Sequence, residues 1–156
     1  MTGVVLPFTG SVQGTLDAKG RVCIPATYRQ ILAAQNTAGV YVCPSFTQQA
    51  LEAFGNEVLQ AFQQRLSQLD PFFSATHDDQ AFAVMASSQL LTLDEQGRVR
   101  LPDAMIEHAG LKDRVTFAGL NGKFQIWEPE AFKARLSISI QNARGLRVNA
   151  PGGAVG

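Results

Sequence analysis

Arg21 and Arg98 occupy equivalent positions in a segment that this 156-residue chain contains twice. The two copies read LDAKGRVCIP, from Leu16, and LDEQGRVRLP, from Leu93, and six of their residues are identical. A guanidinium group stays charged and can donate two parallel hydrogen bonds to a phosphate or to the edge of a guanine. The chemistry that these two arginines could do is therefore recognition of a nucleic acid.

Each of these arginines stands four residues after an aspartate, Asp17 in the first copy and Asp94 in the second. One interpretation is an exposed ion pair that brackets a turn and contributes about 0–1 kcal/mol to stability. The other is a guanidinium that the carboxylate holds in place to contact phosphates or guanine edges. The residues alone favour the two about equally. The repetition favours the second, because two like-placed guanidinium groups suit a ligand with repeated phosphates.

Further cations accompany the repeated arginines. Lys19 lies at the tip of the first turn, and Arg100 lies on the same predicted strand face as Arg98. So few cations, in a chain of zero net charge, predict weak DNA binding by a single copy. Several copies on one duplex would add through effective concentration, so the DNA hypothesis requires an oligomer. The predicted DNA-contacting residues are Asp17, Lys19, Arg21, Asp94, Arg98 and Arg100.

The other repeated residues have a structural explanation. An aspartate opens a turn because its carboxylate accepts hydrogen bonds from backbone N–H groups ahead of it. Gly20 and Gly97 are predicted to supply the positive φ that a tight turn needs. The apolar residues of the motif are predicted to fill the core, and its proline suits the first turn of a helix.

Both halves follow the order strand, turn, strand, helix, hairpin and helix. In the first half, alternation and helical spacing predict strands over 10–16, 21–24, 40–43 and 50–54, and helices over 26–35 and 57–69. Tyr28, Ile31 and Leu32 are predicted core residues, and Asn56 is predicted to cap the second helix. In the second half, the predicted strands are 90–93, 98–101, 115–118 and 124–127, and helices begin at 102 and 129.

Two small units that each expose apolar strand faces are most stable when they bury those faces against each other. The predicted fold is therefore mainly β with flanking helices, in which two tandem pseudo-symmetric units form one β-barrel. The predicted units are 8–69 and 90–144. A connecting segment, 70–89, carries a short helix near 80–86 with His77 just before it, and 145–156 is predicted to be a disordered tail.

Composition and residue counts argue against several classes of protein. Thirteen basic and thirteen acidic residues balance, which counts mildly against a strongly basic nucleic-acid binder. Cys23 and Cys43 have no disulfide or metal spacing and are predicted to be small buried hydrophobes. With His77 and His108 as the only histidines, we expect no metal site, no cofactor and no enzyme. Without a signal peptide or a membrane-length apolar run, we expect a soluble, intracellular protein.

The doubled Leu-Asp-x-x-Gly-Arg-Val-x-(Ile/Leu)-Pro motif, together with residues 121–127, resembles the MraZ family of the SpoVT/AbrB-like superfamily. The likeness covers Phe8 to Arg144. It implies a double-split, swapped-hairpin β-barrel formed within one chain. It also implies a cytoplasmic, nucleoid-associated transcriptional regulator that forms a homo-oligomeric ring. Such a ring would bind double-stranded DNA at promoter repeats upstream of its own operon for division and cell-wall synthesis.

The resemblance also assigns site residues. The family's Asp-x-x-x-Arg motif falls on Asp17 with Arg21 and on Asp94 with Arg98, and Lys19 matches its common basic turn residue. These assignments coincide with the residues that the repeat itself singles out. The resemblance therefore adds the fold and the kind of ligand to what the residues of the two turns indicate.

Two features depart from this interpretation. Family members often carry an Arg shortly before the first strand, where this chain has Phe8, Thr9 and Gly10. The apolar helices around 54–73 also suit an alternative function, a protein-interaction module of antitoxin-like barrel type whose main contact is a partner polypeptide. Core packing explains such apolar stripes more often.

Overall fold

The computed structural model describes residues 6–148 of the chain. Strands and helices follow each other in an order that largely repeats between the two halves. In chain order they are β1 Ser11–Thr15, β2 Arg21–Cys23, α1 Ala26–Ala34, β3 Gly39–Pro44, β4 Leu51–Phe54, α2 Asn56–Leu66, α3 Ala75–Gln80, a π-helical segment Ala81–Ala86, β5 Gln89–Thr92, β6 Arg98–Arg100, α4 Asp103–Ala109, β7 Arg114–Leu120, β8 Lys123–Trp127 and α5 Pro129–Val148.

Six strands form one antiparallel sheet in the order β1-β7-β8-β4-β3-β5, and β2 and β6 form a separate two-stranded ribbon. The Leu101 N–H donates to the Gly20 carbonyl over 2.8 Å, and the Ile24 N–H donates to the Gly97 carbonyl over 2.9 Å. Each repeated turn is thus bonded to the strand of the other half. The predicted class, mainly β with flanking helices and swapped hairpins, is confirmed.

The ribbon takes the place of a local hairpin between the strands on either side of each repeated turn. β1 pairs with β7, and within residues 6–148 the first two strands are linked by one isolated bridge, between Leu16, which follows β1, and Val22. The six-stranded sheet is not itself closed into a barrel, and the ribbon contacts both of its edge strands, β1 and β5. The ribbon therefore lies at the gap that the open sheet leaves.

The hydrophobic core takes side chains from both halves and from both sheets. Val22 and Val99, which face each other in the ribbon, are buried in it. Phe8, Tyr28 and Phe124 form an aromatic cluster with ring centroids 4.8–5.2 Å apart. The residue before the first strand is therefore a core anchor in this chain, and the predicted core face of α1 is confirmed.

The prediction that Asn56 caps α2 is wrong. Asn56 is the first helical residue, and its side-chain amide donates to the carbonyls of Gln35 and Asn36, which closes the loop after α1. The helix ends at Leu66, before the predicted end at residue 69, because the backbone tightens there into i→i−3 hydrogen bonds.

The connecting segment also differs from its prediction. The Ser74 side chain accepts a hydrogen bond from the His77 N–H over 3.1 Å, so it caps α3, which begins at Ala75 rather than near Gln80. His77 lies inside the first turn of that helix, and residues 81–86 continue as a π-helix. At the other end, α5 continues through Val148, so its last turn occupies the start of the predicted tail, and 149–156 lie outside the described residues.

Candidate functional site

The first repeated turn is organised around the carboxylate of Asp17. Its Oδ1 accepts the backbone N–H groups of Lys19 and Arg21, each over 2.9 Å. Its Oδ2 accepts the Nε–H of Arg21 over 2.7 Å, and the Gly20 N–H closes the turn onto the Asp17 carbonyl over 3.0 Å. The aspartate therefore fixes the turn and the guanidinium at once.

The second turn has the same geometry. Asp94 Oδ1 accepts the N–H groups of Gln96 and Arg98 over 2.9 and 2.8 Å, and Oδ2 accepts the Arg98 Nε–H over 2.9 Å. An Nη2–H of Arg98 also donates to the Gln96 side-chain oxygen over 3.3 Å. The equivalence inferred from the sequence thus extends to individual hydrogen bonds.

Both aspartates are held in the ionised form. The backbone N–H of Arg21 lowers the pKa of Asp17, and that of Arg98 lowers the pKa of Asp94, with the guanidinium bonds adding to each effect. Each carboxylate therefore stays charged at neutral pH and keeps its arginine in place. In the first turn the ion pair uses Nε, which leaves both Nη groups of Arg21 without a protein partner in the described part of the chain.

The outer side of the β2–β6 ribbon gathers the charged side chains. Register places Arg21 opposite Arg100, and Cys23 opposite Arg98, while Val22 faces the core. We call the surface formed by Arg21, Cys23, Arg98 and Arg100 the arginine face. Two like charges directly opposite each other destabilise a strand pair. Asp17 offsets the charge of Arg21, and Arg100 has no carboxylate partner among residues 6–148, so a bound anion would balance Arg100.

The structure brings the six predicted site residues together at this ribbon. Lys19 and Arg100 are exposed, and the two Asp–Arg pairs are about one-third exposed. Gly20 and Gly97 each have φ of +79°, as the turn chemistry predicts. The proximity of these residues is thus a property of the fold, whatever ligand they bind.

The prediction that Cys23 is a buried hydrophobe is wrong, whereas Cys43 is buried as predicted. Cys23 is exposed on the arginine face, and its thiol lies 3.4 Å from the Gln96 carbonyl. Strand alternation is the physical reason, because Val22 fills the core side of β2 and directs its neighbours outward. The same alternation, applied strictly, could have found the exposed thiol from the sequence.

One cation near the ribbon lies outside the repeated segments and does not stand out in the sequence. Arg29, on α1, donates from Nε to the Ile24 carbonyl over 3.0 Å. Its guanidinium lies directly against Gly97, so that a Cβ at Gly97 would collide with it. Helical spacing singles out the apolar residues of α1 and gives no signal for this arginine.

The remainder of the described structure offers little other chemistry. Within residues 6–148, no group of three His, Cys, Asp or Glu side chains is arranged to hold a metal ion. No helix there is long and apolar enough to cross a membrane. The two turns and the arginine face are therefore the candidate functional site.

Comparisons with known proteins agree in one family. Residues 84–144 match the family model described as "MraZ protein, putative antitoxin-like". A protein of Gluconacetobacter diazotrophicus named "Transcriptional regulator MraZ" is 43% identical over 148 residues, which cover 93% of each chain. A protein of the same name from Xanthobacter autotrophicus is 40% identical, over 90% of this chain and 88% of its own. One from Rickettsia bellii is 34% identical, over 88% of this chain and 91% of its own.

Proposed function

Because this chain belongs to the MraZ family, we propose that it is a sequence-specific DNA-binding transcriptional regulator that contacts DNA through the arginine face. Its targets are promoter repeats upstream of its own division and cell-wall operon. It acts in the cytoplasm, associated with the nucleoid, and it is not an enzyme. The names of the relatives, all transcriptional regulators, support the general function.

The observation that carries this proposal is the opposition of Arg21 and Arg100 on an exposed two-stranded ribbon. Asp17 balances the charge of Arg21, whereas among residues 6–148 no carboxylate forms an ion pair with Arg100, so the ribbon exposes an uncompensated cation opposite an Asp-held guanidinium. A two-stranded β-ribbon fits the major groove of DNA, where phosphates would balance the charge of Arg100 and guanine edges would accept hydrogen bonds from the guanidinium groups. In this role Arg21 and Arg98 make the contacts, Asp17 and Asp94 position them, and Lys19 and Arg100 add phosphate contacts.

The exposed thiol provides a direct test. The chain has two cysteines, and Cys43 is buried, so Cys23 is the one expected to react with N-ethylmaleimide. We expect duplex DNA from upstream of this chain's gene to shift the protein in a gel at low salt and to slow labelling of Cys23, measured by intact mass. An Arg21→Ala, Arg98→Ala variant should show neither effect. A gel shift without protection of Cys23 would place the DNA elsewhere on the protein and contradict the arginine face.

Oligomerisation is part of the proposal, because the arginine face of one copy offers few phosphate contacts. The proposed assembly is a ring, which would present several such faces to one duplex. Large apolar side chains exposed on the chain support association: Phe46, Phe72, Phe73 and Phe82 are 76%, 85%, 91% and 68% exposed. The Asp70 carboxylate accepts the backbone N–H groups of Phe72 and Phe73, which fixes that exposed turn.

We expect multi-angle light scattering to show an oligomer, and Phe72→Ser with Phe73→Ser to shift it toward smaller species. Leu120→Ser, which changes a half-exposed side chain at the β7–β8 turn, is the matched control and should leave the assembly intact. A monomeric wild-type protein at micromolar concentration would contradict the multivalent mechanism.

The same exposed phenylalanines support a second candidate, a protein-interaction module of antitoxin-like type that binds a partner polypeptide. The two functions need different surfaces of the protein, so they can be tested separately. If DNA binding disappears with the arginines, and Phe72→Ser with Phe73→Ser weakens it only as far as the oligomer dissociates, the DNA function stands. If neither set of changes affects DNA affinity, the interaction module becomes the better proposal.

A further inference from the structure

The two turns differ in what covers their glycines. Positions 77 residues apart correspond throughout the repeat, so Arg29 in α1 corresponds to Ile106 in α4, each four residues after the proline that precedes its helix. At the first turn, Ile106 Cδ1 would lie 3.4 Å from a Cβ on Gly20. At the second turn the guanidinium of Arg29 takes that place against Gly97, which is buried beneath it. A hydrophobic contact in one turn is thus replaced by a charged one in the other.

The tips of the two turns also differ in charge, and here the first turn is the one with the cation. Lys19, exposed at the first turn, corresponds to Gln96 at the second. Ala18 of the first turn corresponds to Glu95, which brings an additional negative charge to the second. α1 therefore places Arg29 beside the second turn, which has the glutamate and lacks the lysine.

Arg29 is held in position without an acidic partner. Its Nε is bonded to the Ile24 carbonyl, its side chain is half-buried, and among residues 6–148 no carboxylate forms an ion pair with it. Ile24 directly follows β2, so this bond anchors the guanidinium at the end of the ribbon where Arg98 lies. A positioned guanidinium without a counter-charge is suited to an anionic ligand.

We propose that Arg29 contacts a DNA phosphate at the second turn, in the role that Lys19 has at the first. This inference rests on the proposed DNA-binding function and deepens it, because it gives each turn of the arginine face one cation besides its Asp-held arginine. The two turns then present similar charge to DNA although their sequences differ at the tip. Arg29 is a phosphate-contacting residue that the repeated motif does not contain.

The test exploits the correspondence between the halves. Arg29→Ile copies Ile106 of the other half, so it keeps a side chain over Gly97 and removes the charge together with the hydrogen bond to the Ile24 carbonyl. We expect it to weaken DNA binding several-fold and to reduce the slope of log K against log salt by about 0.9 for each engaged subunit. Adding Gln96→Lys, which gives the second turn the lysine that the first turn has, is expected to restore the slope and most of the affinity.

The outcomes separate the inference from the function on which it rests. If Arg29→Ile leaves both affinity and salt slope unchanged while Arg98→Ala weakens binding, the inference is overturned and the proposed function stands. If Arg29→Ile weakens binding but leaves the salt slope unchanged, the arginine only supports the turn, and the phosphate contact is also overturned. If the wild-type protein binds no DNA, both fail. Unfolding midpoints of all variants, compared with wild type, show that each protein is folded.

Discussion

Replacing Arg21 and Arg98 with alanine together is expected to abolish specific binding to the DNA upstream of this chain's gene. Each replacement alone is expected to cost about 1–3 kcal/mol, which is about 5- to 150-fold in affinity. The weakening has two physical parts. Alanine removes the donor groups that reach DNA, and it leaves Asp17 or Asp94 as an unbalanced carboxylate beside the phosphates.

The same replacements are expected to leave the fold intact. The two ion pairs are about one-third exposed, and such pairs contribute at most about 1 kcal/mol. The aspartates continue to accept the backbone N–H groups of their turns after the guanidinium is gone. A change in binding can therefore be assigned to the missing guanidinium groups, since the turn that presents them remains.

Salt dependence identifies the kind of interaction. Fluorescence anisotropy between about 50 and about 200 mM salt is expected to show a slope that falls by about one for each arginine replaced per engaged subunit. Arg65→Ala is the matched control, because it removes the same charge from the exposed last turn of α2, which packs on β4. It should leave the slope almost unchanged.

Lysine variants separate the two possible acceptors. Arg21→Lys and Arg98→Lys keep the charge but lack the paired donors of the guanidinium. If the arginines contact phosphates, the lysine variants keep most of the salt slope and of the affinity. If they read guanine, discrimination between specific and random duplexes falls while the slope persists. Unchanged slopes in both alanine variants would remove phosphate contact from the mechanism.

The chemistry of the turns could be predicted from the sequence because it is local. An Asp carboxylate reaches N–H groups only two and four residues ahead, and a glycine at the right position supplies the positive φ. The Asn121-Gly122 dipeptide between β7 and β8 is an equally local turn signal, and Asn121 has φ of 71°. Each of these turn predictions depends only on residues within a few positions of the turn.

The pairing of β2 with β6 could not be derived from local pattern. The alternation in each copy is satisfied equally by a local hairpin and by pairing with a strand 77 residues away. Contacts between the halves decide, because the swapped arrangement buries Val22 and Val99 against each other and bonds each turn to the opposite strand. The family resemblance predicted this arrangement where periodicity could not.

Arg29 escaped prediction for a related reason. Its role depends on α1 lying beside the second turn, which only the swapped pairing produces. A comparison of the halves at the offset of 77 residues shows both differences, since the first half has the cations Lys19 and Arg29 where the second half has the neutral residues Gln96 and Ile106. Without the fold, however, nothing connects those two differences.

Valine at Gly20 or Gly97 is expected to destabilise the protein by more than about 1 kcal/mol, because both residues have φ of +79°. β-branched side chains are especially unfavourable there. Denaturant unfolding at one fixed protein concentration, which keeps any oligomer contribution constant, measures the effect. Gly110→Val is the matched control for backbone strain alone, because Gly110 has φ of +62° and a Cβ there meets no atom within 4 Å.

The two turn glycines are expected to differ from each other. At Gly20 a Cβ would make ordinary contacts of 3.4 and 3.5 Å with Ile106 and Leu101, so its cost should resemble that of Gly110. At Gly97 the Cβ would collide with Arg29, so that this variant must also displace the guanidinium and is expected to be the least stable. Equal destabilisation at Gly97 and Gly110 would show that Arg29 does not pack on the turn.

A double-mutant cycle isolates that collision. Arg29→Ala removes the side chain that a Cβ at Gly97 would meet, and it leaves the strain of the positive φ in place. The destabilisation caused by Gly97→Val should therefore be smaller in the Arg29→Ala background, and the coupling energy should fall in the range of about 0.5–3 kcal/mol expected for residues in contact. The same change at Gly20 should show no coupling to Arg29, because Ile106 covers that turn. A cycle with these two results would establish, independently of DNA, that α1 places a guanidinium on the second turn only.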